Sequence, residues 1–336
     1  MSILVTGGAG YIGSHMVRAL RDAGEQVVVL DNLSTGFKWA VTKGVPLVIG
    51  DVGDKALVTR IIAEHDVEAI IHFAASISVP ASVSDPLGYY HNNTVNSHAL
   101  IKCAIKGGVK QFIFSSTAAV YGNPVHVPIG EDDPTIPLSP YGSSKLMTET
   151  MLRDAGTRHW LDYVILRYFN VAGADPHTRI GHAGADPNAR VRQKYVPHLI
   201  NVAVEAVLRN TGMKVFGKDY DTPDGTCIRD YIHVCDLVEA HRNALAYLRH
   251  GGAPVTLNCG YGRGFSVLQV IDTVKRVSGV DFPVDFIGRR AGDPARVVAK
   301  SARIRELLGW QPRFDDLVII ISNALAWRRK LTEVYR

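Results

Sequence analysis

The chain has 336 residues, 46% hydrophobic and 21% charged, with a formal net charge of +5. That is ordinary globular composition, with length enough for a large core and for two lobes. The densest basic run, Arg328-Arg329-Lys330, is too short to argue for nucleic-acid binding, and no apolar run approaches membrane-spanning length. Four cysteines (Cys103, Cys227, Cys235, Cys259) lie far apart without paired metal-ligand spacing. They read as buried thiols of a reducing, cytoplasmic compartment with no metal. A first strand from Ile3 leaves no room for a signal peptide, so none is expected.

The first half alternates β-branched runs with helical stretches, which predicts an α/β fold: a Rossmann-type, doubly wound parallel sheet. Strands are expected at Ile3–Thr6, Gln26–Leu30, Pro46–Ile49, Ala69–Phe73, Gln111–Ser116 and Tyr163–Arg167. Helices are expected near Gly13–Ala23, Lys55–Glu64, Pro86–Lys106 and Tyr141–Asp154. Residues 1–170 then form the nucleotide-binding domain, with a segment near 229–250 returning to it. Residues 171–336 form mainly a smaller α/β lobe over the C-terminal edge of the sheet. Ala172–Arg190, rich in Gly, Ala, Asp and Pro without an apolar period, predicts a long functional loop.

Gly7-Gly8-Ala9-Gly10-Tyr11-Ile12-Gly13 follows the first strand directly and opens the first helix, with spacing G-x-x-G-x-x-G. Such a turn brings a dinucleotide pyrophosphate onto a helix N-terminus. Asp31, at the end of the second strand, is placed to accept hydrogen bonds from adenosine ribose hydroxyls and to repel a 2′-phosphate, favouring NAD over NADP. Asp51-Val52 falls where the adenine would lie, although Asp51 equally suits a strand-end cap.

Tyr141-Gly142-Ser143-Ser144-Lys145 puts a phenol and an ammonium on one helix face, behind Ser139 as N-cap and Pro140 at the first helical position. A free tyrosine titrates near 10. A cation about 5 Å away, at an effective dielectric of about 20, stabilises the phenolate by about 3 kcal/mol, or roughly two pKa units. Lys145 and an oxidised nicotinamide together would bring Tyr141 into the range of a general base. Ser115-Ser116-Thr117 closes the fifth strand, and Thr117 is placed to bond the same substrate hydroxyl. Arg229 and Arg290 are candidate diphosphate clamps by guanidinium geometry, although surface arginines are common. Taken singly, the glycine run suits a structural turn and the Tyr–Lys pair a surface helix. Together they point to an enzyme.

Further blocks extend the pattern in one order: Ile71-His72-Phe73-Ala74, Tyr89-Tyr90-His91-Asn92-Asn93, Val120-Tyr121-Gly122 and Leu166-Arg167-Tyr168-Phe169-Asn170. Later come Asp224-Gly225-Thr226, Arg229-Asp230-Tyr231-Ile232-His233-Val234 and Arg289-Arg290-Ala291-Gly292-Asp293. With these blocks the chain resembles the extended short-chain dehydrogenase/reductases nearly end to end, and among them the UDP-glucose 4-epimerase family. The resemblance implies an isomerase in which Tyr141 deprotonates the sugar 4-hydroxyl as hydride passes to tightly held NAD. The transient 4-keto sugar then turns over and takes hydride on its other face. By position, Gly7, Gly10, Tyr11, Ile12, Gly13, Asp31, Asn32, Asp51, Val52, Phe73, Ala74, Asn92, Lys145 and Phe169 would contact NAD. Thr117, Tyr141, Asn170, Phe216, Arg229 and Arg290 would contact the UDP-sugar. Subunits of the family pair through the Pro86–Lys106 and Tyr141–Asp154 helices, implying a homodimer.

Three positions depart from that family. A lysine near the nicotinamide aligns to Ile77, and a substrate-binding asparagine aligns to Lys194. A bulky position that excludes N-acetyl sugars aligns near Val297, beside Arg296, which leaves room for a 2-acetamido group. The related 4,6-dehydratases and decarboxylases need an acid just after the Ser/Thr, and Thr117-Ala118-Ala119 has none. UDP-pentose and UDP-N-acetylhexosamine 4-epimerases share the same chemistry and stay open as readings. A non-catalytic NAD sensor would be expected to lose Tyr141 or Lys145, and this chain keeps both.

Overall fold

The computed structural model describes residues 1–159, 161–182, 198–290 and 292–334. In chain order, β1 (Ser2–Thr6) leads through the glycine turn into α1 (Tyr11–Asp22), followed by β2 (Val27–Asp31), β3 (Leu47–Ile49), α2 (Lys55–Glu64) and β4 (Val67–His72). Next come α3 (Val79–Ser84), α4 (Pro86–Tyr89), α5 (Asn96–Lys106), β5 (Gln111–Thr117), α6 (Pro140–His159) and β6 (Asp162–Tyr168). Then follow β7 (Asn170–Ala172), α7 (Leu199–Arg209), β8 (Met213–Phe216), β9 (Ile228–His233), α8 (Val234–Arg249) and β10 (Val255–Cys259). The chain finishes with β11 (Gly264–Ser266), α9 (Val267–Ser278), β12 (Val284–Ile287), β13 (Arg296–Val297), α10 (Ala302–Leu308) and α11 (Leu317–Val334).

The main sheet has the order β10-β6-β5-β4-β1-β2-β3, parallel throughout. Sequential strands run outward from β1 in both directions, so the order reverses between β1 and β4. A crevice opens there at the C-terminal strand ends. Strands such as β1, buried along their whole length, need apolar cover on both faces, and two clusters supply it. Ile3, Val5, Val29 and Ile71 face α1 and α8 through Met16, Leu20 and Leu237. Leu4, Val28, Ile70 and Phe112 face the α2–α5–α6 layer through Ile61, Leu100 and Leu152. The sheet is not built from the first half alone: β10 pairs in parallel with β6, Val255 to Val164 through Cys259 to Tyr168.

Beyond β6 lie a small sheet of β11, β9 and β13 with β7 alongside β9, and a separate β8–β12 pair. Two expected elements come out differently. The single helix expected over Pro86–Lys106 is broken into α4, a π-helical turn at Tyr90–Val95, and α5. The turn fits the bonding of its two asparagines: Asn92 donates to the Ser76 hydroxyl at 2.9 Å, and Asn93 bonds the Ser76 amide and carbonyl and the Ser144 hydroxyl. The stretch read as a loop from Ala172 contains the end of β7, an Ala174–Gly181 bridge, and a turn where Arg179 grips Asp175 in a fork. Its remainder, 183–190, lies outside the described residues, as does Lys194.

Candidate active site

The glycine turn meets two different demands. A Cβ on Gly13 would lie 2.2 Å from the Gly7 carbonyl, and one on Gly7, at φ +69°, would lie 2.7 Å from the Ala74 amide. Those two glycines are required by the protein's own packing. A Cβ on Gly10 would meet only the Gly7 carbonyl, at 3.2 Å, so space stands open over this residue. Gly10 is the N-cap of α1 and offers no side-chain cap, so no side chain competes for the amides of the first turn there. An uncapped helix N-terminus over an open glycine is a cradle for an anion.

Beside it, Asp31 accepts from the Ala9 amide at 2.9 Å and the Leu33 amide at 2.8 Å. Burial raises its pKa, opposed by those two amides. Each oxygen keeps a further lone pair, so the carboxylate orders the turn and can still accept from a ligand. Asn32 donates to Asp51 at 3.0 Å, and Asp51 also accepts from the Gly53 amide and from Asn96. A cavity of about 470 Å³ opens on Asp51, Gly53, His91, Asn92 and Asn96. His72, pushed down to about 3 by burial and by Lys145, bridges Thr6 and Ser97 as a neutral ring. Tyr11 is tied elsewhere: its hydroxyl donates to the Gly173 carbonyl at 2.7 Å and its carbonyl is held by Ser14 and His15, which leaves its backbone amide for a ligand.

At the crevice, Thr117 ends β5 opposite Tyr168 of β6, and α6 brings Tyr141 and Lys145 to the same place. Burial pushes the Tyr141 phenol up to about 12, while a hydrogen bond with Thr117 pulls it down and Tyr89 adds a smaller upward push. Burial pushes Lys145 down to about 7, opposed by Glu149. The lowering of Tyr141 by Lys145 that the sequence led us to expect is therefore not found in the protein alone. Burial is the dominant influence on the phenol, and Lys145 is not among the groups that shift it. The ammonium lies 4.4 Å above the Phe114 ring and makes no hydrogen bond to another described residue, so its donors are open to a ligand.

The distal residues gather on the second lobe. Asn170 pairs with Tyr231 of β9, the strand that carries Arg229. Arg229 donates to the Ile228 carbonyl and, at 3.4 Å, to Asp293. The Arg290 guanidinium stacks 4.0 Å over Phe216. Val297 pairs with Arg229 and packs partly buried against the cluster of Tyr121, Ile129 and Phe169.

A family model for the NAD dependent epimerase/dehydratase family matches residues 3–260. The chain belongs to that family. It is 54% identical over 332 residues (98% of this chain, 93% of the relative) to the UDP-glucose 4-epimerase of Azospirillum brasilense. The crystal structure of UDP-glucose 4-epimerase from Brucella ovis in complex with NAD superposes with a TM-score of 0.90 at 41% identity, covering 97% of each chain. The UDP-Glc/GlcNAc 4-epimerase of Campylobacter jejuni superposes with a TM-score of 0.83 at 44% identity, covering 98% of this chain and 99% of that one.

In this family member several structural participants escape a motif reading. Tyr168 stands beside Tyr141, and burial together with that phenol drives its own pKa up. Ser76, Asn93 and Ser144 join the loop after β4 to α6. Glu149 and Arg167 form a buried ion pair at 2.6 Å. Helical spacing from Lys145 was the available signal for Glu149; nothing local marks Ser76.

Proposed function

We propose that this enzyme is an NAD-dependent 4-epimerase of UDP-sugars, interconverting UDP-glucose and UDP-galactose. The observation that carries the reading is one crevice flanked by an open glycine cradle and the buried Thr117–Tyr141–Lys145 group. Gly7, Gly10, Tyr11, Ile12, Gly13, Asp31, Asn32, Asp51, Val52, Phe73, Ala74, Asn92, Lys145 and Phe169 would hold NAD, the ribose toward Asp31. Bound there, NAD supplies the acceptor and donor of hydride that inversion at C4 requires.

The chain's own residues manage the proton. Tyr141 takes it from the sugar 4-hydroxyl and returns it after the 4-keto sugar has turned. Thr117 bonds the same oxygen and orients it. A protonated Lys145 at the face of this pair favours the phenolate, and the apolar surroundings exclude water. Asn170, Phe216, Arg229 and Arg290 would hold the uridine and diphosphate on the second lobe, so the sugar can rotate while its nucleotide stays anchored. This divides the chain into a nucleotide-cofactor half, 1–170 with returning segments, and a UDP-sugar half, 171–336. The four cysteines are free, as suits a cytoplasmic setting. Val83, Leu87, Val95 and Met147 stand exposed on α3, α4, the π turn and α6. A second copy of the chain would cover them in a homodimer.

Purified protein incubated with UDP-galactose and NAD should yield UDP-glucose without net reduction of NAD. Tyr141→Phe should lose turnover by about a thousandfold or more, the upper part of the range for a proton-transfer group, while UDP still binds by calorimetry. Loss of binding as well would make Tyr141 structural. Conversion of UDP-GlcNAc in the same assay would support the open position near Val297.

A further inference from the structure

Glu149 takes no part in the chemistry above, yet its carboxylate is fully buried one helical turn beyond Lys145. Arg167 donates to both of its oxygens, at 3.0 and 3.2 Å from Nε and 2.6 Å from Nη2. The Ser116 hydroxyl donates at 2.5 Å, and Arg153 at 3.3 Å from the half-exposed side. Arg167 in turn donates to the Tyr121 hydroxyl at 2.9 Å and the Glu131 carbonyl at 3.2 Å, and Tyr121 donates to Asn258 of β10 at 2.7 Å. One cluster thus binds α6 to the C-terminal ends of β5, β6 and β10.

Stability alone does not account for it. Exchanging a buried ion pair for apolar groups of like volume is often neutral, or stabilising by about 1–4 kcal/mol. Its position is more telling. Ser116 precedes Thr117, Arg167 precedes Tyr168, and Glu149 follows Lys145 on the same helix face.

Apart from the Phe114 ring face, 4.4 Å beneath the ammonium, the described histidine, phenols and arginines nearby offer Lys145 no negative charge. From β4 comes His72, a neutral ring; Tyr141, Tyr89 and Tyr168 are phenols; Arg167 and Arg153 are cations. Glu131 bonds the Asn258 amide on the far side of Arg167. Resting on the reading of Tyr141 and Lys145 as the proton-transfer pair, we propose that Glu149 is a positioning residue that fixes Thr117 through Ser116 and keeps Lys145 a cation. Glu149 is the one charge that lifts Lys145 against its burial.

The test uses Glu149→Gln in the full chain, which keeps an oxygen for Ser116 and removes the charge. Glu149→Gln/Arg167→Met leaves no buried unpaired cation and serves if the single variant folds poorly. Two readouts apply: NMR titration of the labelled Lys145 amine in cofactor-free protein, and the pH profile of kcat with UDP-galactose. The Lys145 midpoint should fall by about one pH unit or more in Glu149→Gln, since a removed neighbouring charge shifts a buried group by that order, and should fall by less in the double variant, which also removes the Arg167 cation. At neutral pH kcat should fall about fivefold, since a midpoint moved from about 7 to about 6 takes the protonated fraction from about a half to about a tenth, with KM changed less than about twofold. A merely structural role would lower thermal stability and leave both titrations in place, and that result overturns the proposal. If the wild-type chain fails to convert UDP-galactose, the functional reading falls while the NMR midpoint still decides the role of Glu149.

Discussion

The burial of Lys145 works against folding. The residue is 3% exposed and titrates near 7 in the folded protein against 10.5 when free. The unfolded chain therefore binds the extra proton between those values, and stability rises with pH across that window. Below about pH 7 the full penalty applies, and above it the folded state sheds the proton and the penalty shrinks. Lys145→Met should accordingly stabilise the cofactor-free protein more at pH 6 than at pH 8.5. The difference expected is about 2 kcal/mol, from roughly 1.5 pH units at 1.36 kcal/mol each. Urea denaturation at the two pH values measures it. An equal gain at both would mean that Lys145 keeps its proton inside the fold. This cost to folding is what the role proposed for Lys145 toward a ligand would explain.

Among the elements, the glycine turn separates folding from binding within seven residues. Gly13→Ala puts a Cβ 2.2 Å from the Gly7 carbonyl, so the turn or α1 must shift. The variant should lose about 2–4 kcal/mol, as an overpacked backbone site does, which thermal melting would reveal. Gly10→Ala meets nothing closer than 3.2 Å and should melt within a few degrees of wild type. Its defect should instead be weaker NAD binding by calorimetry, because the added methyl would project where the proposed site puts the phosphates. Normal NAD affinity in that variant would place the cofactor elsewhere.

These elements were also the most legible part of the sequence. β1, α2 and β5 follow from apolar period and turn residues, and Tyr141 with Lys145 follows from helical spacing. The broken helix before α5 was not legible, because its π turn fits bonds from Asn92 and Asn93 to Ser76, a partner 16 or 17 residues away. Nor was the titration of Tyr141, since a desolvation penalty depends on what covers the phenol. The Glu149–Arg167 pair joins a helix to the next strand across 18 residues, and no spacing rule signals such a contact.

For the whole molecule, the exposed apolar residues of α3, α4, the π turn and α6 carry the expectation of pairing. Leu87 is 78% exposed and Val95 51%, close together in sequence on the α4–π-turn–α5 run. Leu87→Glu with Val95→Glu should halve the mass measured by light scattering and leave the far-ultraviolet spectrum unchanged. A wild-type protein already at monomer mass would remove the homodimer from the account. A different consequence follows from the strand that completes the main sheet. β6 ends at Tyr168, and its outer neighbour β10 begins only at Val255. A ribosome adding about 5–20 residues per second needs roughly 4–17 s to make what lies between. Through that interval the nascent chain carries an apolar strand, Val164-Ile165-Leu166, with one side of its backbone unpaired. Newly made molecules are thus most prone to clump before synthesis reaches residue 259, and slower translation of that stretch would lengthen the hazard.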